Sequence, residues 1–260
     1  ATWRRTWATA GTSSIPPAPR SRWASCAWAP AATPPTFPSR RSSAPSRPAR
    51  RVNPEIPEEV ERTALILVGY QNDYFAKDGI LRGVVEDPLG VDRVLEHTLS
   101  FIRALAPTEA TIISTPIILS PDYRAMASPV GILNTMKEVG AFKEGSIGAE
   151  NIPGLDEFGD RIMYVSGKVG FNAFSNTTLG DVLSERGIEN VLVCGMVTSL
   201  CIDSTGRAAY ERGYDVTIVS DCSSARTDAE HEFFCENVFP LYGRAATSTE
   251  ILAEMSSATV

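Results

Sequence analysis

Asn190–Val219, NVLVCGMVTSLCIDSTGRAAYERGYDVTIV, decides the fold. Asn190–Cys194 is a short apolar run of strand length, Ser199–Arg212 is helical and closes before Gly213, and Asp215–Val219 is a second short apolar run. A strand, a helix and a strand within roughly thirty residues is the unit that builds parallel sheets. The same alternation runs upstream. Thr63–Val68 (TALILV) reads as a buried strand ended by Gly69. Pro88–Leu105 sets Val91, Val94, Leu95, Leu99, Ile102 and Leu105 at spacings of three and four, one apolar face of a helix stopped by Pro107. Ala110–Ser114 (ATIIS) is the next strand, followed by a long loop region through Gly154. Arg161–Val165 (RIMYV) is another strand and Thr178–Arg186 a helix closed by Gly187. Asp228–Asn237 is a last long helix. Continuous apolar strands separated by amphipathic helices predict a doubly wound α/β domain, a parallel sheet flanked by helices on both faces. In such sheets ligands sit outside the carboxyl ends of the strands, so the residues after Val68, Ser114, Val165, Cys194 and Val219 are where chemistry is expected.

The alternation begins near Glu58. Before it, residues 1–57 are rich in Ala, Ser, Thr, Pro and Arg, with all four Trp and ten of the 18 Pro before residue 55. Residues 1–54 hold nine Arg and no Asp, Glu or Lys, a composition that suits an organelle transit peptide for plastid or mitochondrion. A disordered tail, or upstream sequence from a misassigned start, fits it too and would leave the protein cytoplasmic. The expected division is therefore an extension, 1–57, and one domain, 58–260. From residue 55 onward fifteen basic side chains face all thirty-one acidic ones, about −16. Such a body does not attract nucleic acid. No apolar run is long enough for a membrane helix, and five irregularly spaced Cys make neither a disulfide scaffold nor a zinc ribbon.

Cys201 falls in the first turn of the helix that follows Asn190–Cys194. There the unpaired N–H groups and the positive end of the helix dipole favour thiolate. With the N–H of Val197 they could also hold the oxygen of a tetrahedral adduct. A small buried Cys packing helix against sheet is the competing reading. Lys168 shifts the balance: it lies between Gly167 and Gly170 after the strand Arg161–Val165, at the same sheet edge, where it could stabilise a thiolate and carry protons.

These pieces together are recognisable. KEGSIGAENIPGL (Lys143–Leu155), SGKVGFNAF (Ser166–Phe174), TTLGDVLSERGIENVLVCGMVTSLCIDST (Thr177–Thr205), GYDVTIVSDCSSAR (Gly213–Arg226) and ALILVGYQNDYF (Ala64–Phe75) occur in the order and spacing of the isochorismatase-like cysteine hydrolases, which include nicotinamidases and N-carbamoylsarcosine amidohydrolases. The resemblance implies a Cys nucleophile at Cys201, a Lys at Lys168, and a cis peptide between Met196 and Val197 that aims oxyanion-binding N–H groups. It also implies a small-molecule substrate and a homo-oligomer whose stoichiometry no surface pattern sets.

Two departures from the family matter. The family's first strand usually ends in an Asp that takes the thiol proton, whereas here Gly69 stands at that position. Asp73 matches the second acidic position, about 13 Å further along an extended chain unless the chain turns back. It is a candidate substitute base or a turn-capping residue. Nicotinamidases also bind a divalent ion through an Asp and two His after the second strand. This chain has Thr115–Ser120 there, and its only His are His97 and His231. The expected site therefore takes no metal and no cofactor. Phe75, Ile117, Phe171 and Phe174 are candidates for an apolar substrate pocket. Three readings stay open: a metal-free hydrolase of a small amide through a Cys201 thioester, an idle family member used for binding or assembly, and a redox-sensing thiol protein.

Overall fold

A computed structural model describes residues 58–126 and 128–257. The extension 1–57, with its transit-peptide reading, lies outside the described residues. The chain forms α1 (Glu58–Glu61), β1 (Thr63–Val68), α2 (Asn72–Phe75), α3 (Pro88–Leu105), β2 (Thr111–Thr115), α4 (Gly131–Val139), β3 (Ile162–Tyr164), α5 (Leu179–Glu185), β4 (Asn190–Met196), α6 (Asp203–Tyr210), β5 (Asp215–Ser224), α7 (Asp228–Phe233), β6 (Arg244–Ala246) and α8 (Ser248–Ser257). The strands make one sheet in the order β3-β2-β1-β4-β5-β6, every pairing parallel. The doubly wound α/β architecture read from the sequence is thus present.

Alternation along β1 shows how the sheet is covered. Leu65 and Leu67 enter one apolar cluster with Phe101 and Ile102 of α3 and Ile251 of α8, while Ala64, Ile66 and Val68 enter another with Leu183 of α5 and Ala209 of α6. All six residues of β1 are buried, which is why the strand is apolar throughout rather than alternating. Asp87 caps α3 by accepting the Leu89 N–H at 3.0 Å, and Pro88 opens the helix where its missing N–H costs nothing.

Several boundaries differ from the sequence reading. The stretch taken as loop through Gly154 contains α4, which ends at Gly140 in the left-handed region, φ 77°. The helix expected from Ser199 opens with a π-helical turn, Thr198–Ile202, before α6, and the last long helix is α7 followed by a π-helical turn, Phe234–Val238. β5 runs five residues beyond Val219, through an irregularity in its register with β4. β6 and α8 complete one edge and one face of the sheet.

Topology positions the site. The chain leaves β1 for β2 and β3 on one side, then crosses to β4 on the other, so the strand order reverses between β1 and β4. A crevice opens where the connections depart in opposite directions. Val68 and Gly195 are register partners there, which brings Gly69, the residues after β4 and Cys201 to the same edge. Only glycine fits at 195: its φ is 127°, and a Cβ would overlap the Val68 carbonyl of the neighbouring strand.

Candidate active site

After Gly195 the peptide between Met196 and Val197 is cis. Val197 then caps the π-helical turn, its carbonyl accepting the N–H groups of Leu200 at 3.1 Å and Ile202 at 3.3 Å. Cys201, fourth in that turn, is buried at 3% exposure. Across from it Lys168 reaches in from the loop after β3. That loop is held by a parallel bridge between Lys168 and Ile117, which continues the sheet edge past β2. Lys168 is fully buried, and its Nζ donates to the Gly170 carbonyl at 2.6 Å and lies 3.5 Å from Cys201 Sγ. Burial pulls the Lys168 pKa down and the adjacent Cys201 opposes that shift.

The other cysteines among the described residues are in different chemical circumstances. Burial raises Cys194 to about 12, with the Tyr70 hydroxyl 3.5 Å from its sulfur. Cys222 is raised further by burial, and Cys235 to about 11. Among the described residues, Cys201 is the thiol with a lysine amine beside it.

Asp73 is drawn elsewhere. Gln71 N–H bonds to the Gly69 carbonyl at 2.8 Å and α2 follows at once, so the chain does turn back after Gly69. The turn does not deliver the carboxylate to the thiol. Asp73 Oδ2 accepts the Phe142 N–H at 2.6 Å, the Ile80 N–H also bonds to the carboxylate, and the group fills the space above Gly148, where a Cβ would overlap Oδ1. Neither Lys168 nor Cys201 is among its hydrogen-bond partners. Burial raises the Asp73 pKa and the Phe142 N–H counteracts it.

Of the four side chains expected to form a pocket wall, Ile117 and Phe171 line the cleft at Cys201. Phe75 and Phe174 do not. Phe75 closes the one-turn α2 and stacks on Tyr70 with ring centroids 4.8 Å apart, and Phe174 stacks on Tyr214 beneath the Arg212 guanidinium. The remaining wall includes Tyr74, Leu133, Met136 and Leu200. The cavity volume is about 10 Å³, the room one water needs. A ligand must therefore move side chains aside.

Two groups of residues were not singled out in the sequence. Gln71, fully buried, ties three loops together: its Nε2 donates to the carbonyls of Ile117 and Ala149, and its Oε1 accepts the Ile117 N–H, each at 2.7 Å. From α7, His231 Nδ1 lies 2.8 Å from Thr198 Oγ1 and Glu230 hydrogen-bonds Ser199. Two consecutive residues thus clasp the first two of the turn that carries Cys201. Among the described residues there is no cluster of three or more His, Cys, Asp or Glu that could hold a metal ion, and no helix is long and apolar enough to cross a membrane.

YwoC, an isochorismatase family protein of Bacillus subtilis (strain 168), is 34% identical over 92 residues, 35% of this chain and 49% of that protein. The chain spans about half or less of the length of the first curated relatives it matches. A longer alignment, 27% identical over 235 residues, covers 85% of the chain and 92% of the ureidoacrylate amidohydrolase RutB of Methylorubrum extorquens. The crystal structure of a cysteine hydrolase from Pseudomonas syringae pv. phaseolicola 1448A superposes with a TM-score of 0.65 at 22% identity, over 82% of this chain and 99% of that one, a likeness of fold. The Isochorismatase domain family model matches residues 63–250, most of the length and every strand of the sheet, and the chain accordingly belongs to the isochorismatase family.

Proposed function

We propose that the protein hydrolyses the C–N bond of a small amide through a thioester at Cys201. The observation that carries this reading is the pairing of Cys201 with Lys168: a buried thiol at the start of a helix, 3.5 Å from a fully buried amine. A positive charge at that distance favours thiolate, the nucleophilic form. Attack on the substrate carbonyl would place the oxyanion at the N–H groups of Val197 and Cys201, beside the cis peptide. The step calls on no metal and no cofactor. The amide class is suggested by the amidohydrolase name of the relative that aligns over most of the chain. The apolar lining of the cleft, from Ile117, Leu133, Met136 and Phe171, suits a compact acyl group once side chains have moved aside to admit it.

One observation favours a second reading, an idle member that binds without turnover: Gly69 supplies no carboxylate, and Asp73 is occupied with backbone N–H groups. Incubation with ureidoacrylate and with nicotinamide, followed by ammonia release and by intact-protein mass, separates the two. Turnover that disappears in Cys201→Ala supports the hydrolase. Turnover that survives in Cys201→Ala contradicts the thioester.

A further inference from the structure

Lys168 is a fully buried amine without a carboxylate. Its Nζ contacts one carbonyl oxygen, that of Gly170, and one sulfur, that of Cys201, and among the described residues it takes part in no ion pair with Asp or Glu. Cys201 is the one titratable group that acts on its charge. On the far side of the cleft Tyr74 stays a neutral phenol because of its burial, and Asp73 beyond it is bonded to main-chain N–H groups. An isolated ammonium in such a place lacks the partner that buried charges require. Two arrangements satisfy the site: a neutral amine beside a neutral thiol, or an ammonium beside a thiolate. They differ by one proton moved across the 3.5 Å between Sγ and Nζ.

Building on the thioester reading above, we infer that Lys168 is the general base and general acid of this site, so that Cys201 and Lys168 form a dyad working without a carboxylate. The Cys201 thiol gives its proton to the Nζ lone pair, leaving thiolate and ammonium. The thiolate attacks the amide carbon, and the carbonyl π pair moves to oxygen. As the carbonyl re-forms, the C–N bond breaks and the ammonium proton goes to the departing nitrogen. An amine leaves, a thioester remains and Nζ is neutral again. Nζ then takes a proton from the water that attacks the thioester, and the C–S bond breaks to return thiolate and ammonium. The sum is amide plus water to carboxylic acid plus amine, with no outside acid or base consumed. Gly69 is then compatible with turnover, because the proton that a carboxylate would accept has a destination on Lys168.

The test separates holding a charge from moving a proton. Arginine carries charge at every accessible pH but cannot act as a base. p-Nitrophenyl acetate loses a phenolate that needs no proton, whereas p-nitroacetanilide must have its nitrogen protonated to leave. Acylation of Cys201 by each probe is read by peptide mass spectrometry in the wild type, Lys168→Arg and Lys168→Met, with Cys201→Ala as control. The dyad predicts that Lys168→Arg loses anilide acylation by about 100-fold or more beyond whatever ester acylation it loses. Lys168→Met should lose both. Lys168→Arg acylated by ester and anilide alike would overturn the base assignment and leave the hydrolase standing. A wild type acylated by neither probe, or undiminished labelling in Cys201→Ala, would overturn both. Should the Arg variant not fold, the wild type alone decides. Its ester reaction should rise with pH to a plateau while its anilide reaction rises and then falls as Nζ loses its proton; parallel profiles refute the dyad.

Discussion

Asp73→Asn separates a structural carboxylate from a catalytic one. In the folded protein Oδ2 accepts the Phe142 N–H at 2.6 Å and the Ile80 N–H bonds to the same carboxylate. Asn keeps one acceptor oxygen and turns an NH2 toward the other N–H, leaving a buried donor without a partner. That costs about 1–3 kcal/mol. The middle of that range is about 2 kcal/mol. In a folded unit of this size that is a Tm lower by about 4–8 °C in a thermal melt. The sign with pH follows from the raised pKa. A carboxyl that holds its proton more tightly when folded contributes stability below its ordinary value of 3.8 and loses it as pH rises through the folded value. The gap between wild type and Asn variant should therefore widen in acid. Cys201 alkylation by iodoacetamide, at a temperature where both are folded, should agree within about twofold, because no bond to Asp73 reaches the Cys201–Lys168 pair. A variant with unchanged Tm and alkylation or turnover reduced about 100-fold would refute this reasoning and make Asp73 the base.

Gly69→Asp asks whether the site lacks its carboxylate in practice. A Cβ there would meet the Met196 carbonyl at 3.5 Å and the Tyr74 ring at 3.6 Å, ordinary contacts, but φ is 75°, so the left-handed backbone should cost about 1 kcal/mol and some 2–4 °C in Tm. Turnover should change less than tenfold, and a gain of about 100-fold or more would show that the wild type is starved of a base. His231 has its pKa lowered by burial from an ordinary 6.5, so its contribution to stability is present above 6.5 and is lost as pH falls. The urea midpoint should drop between pH 7.5 and 5.5 in the wild type and drop less in His231→Gln; equal slopes would remove His231 from the account. Cys201→Ala trims a buried side chain to a methyl, so it should melt within a few degrees of wild type, about 1 kcal/mol, while hydrolysis disappears. A collapse of the fold instead would make Cys201 a packing residue first.

The central strands β1, β2 and β4 were legible because they are buried on both faces, whereas the short, partly exposed β6 was not read. TALILV at β1 is dominated by aliphatic residues, and its bounds and those of α3 coincide with the sequence reading. Cys201 and Lys168 were legible from placement, one at a strand-to-helix turn and one between glycines after a strand. α4 was not, although Ile132, Leu133 and Met136 between Gly131 and Gly140 carry helical spacing; nine residues among turn signals were absorbed into a loop. Phe75 and Phe174 were misplaced because sequence adjacency to a strand end does not fix which way a ring turns. Phe75 found Tyr70 and Phe174 found Tyr214. The His231 and Glu230 contacts to the π-helical turn join residues more than thirty positions apart, and nothing local in either stretch marks the other.

The most direct test of the account is the rate of Cys201 alkylation by iodoacetamide as a function of pH, read by peptide mass spectrometry against Cys194, Cys222 and Cys235 in the same molecule. With Cys194 raised to about 12, Cys235 to about 11 and Cys222 raised as well by burial, the account predicts that near neutral pH Cys201 reacts faster than each of them by about tenfold or more, and that Lys168→Met removes the advantage. A Cys201 that reacts no faster than Cys235, or whose rate is indifferent to Lys168→Met, would contradict it.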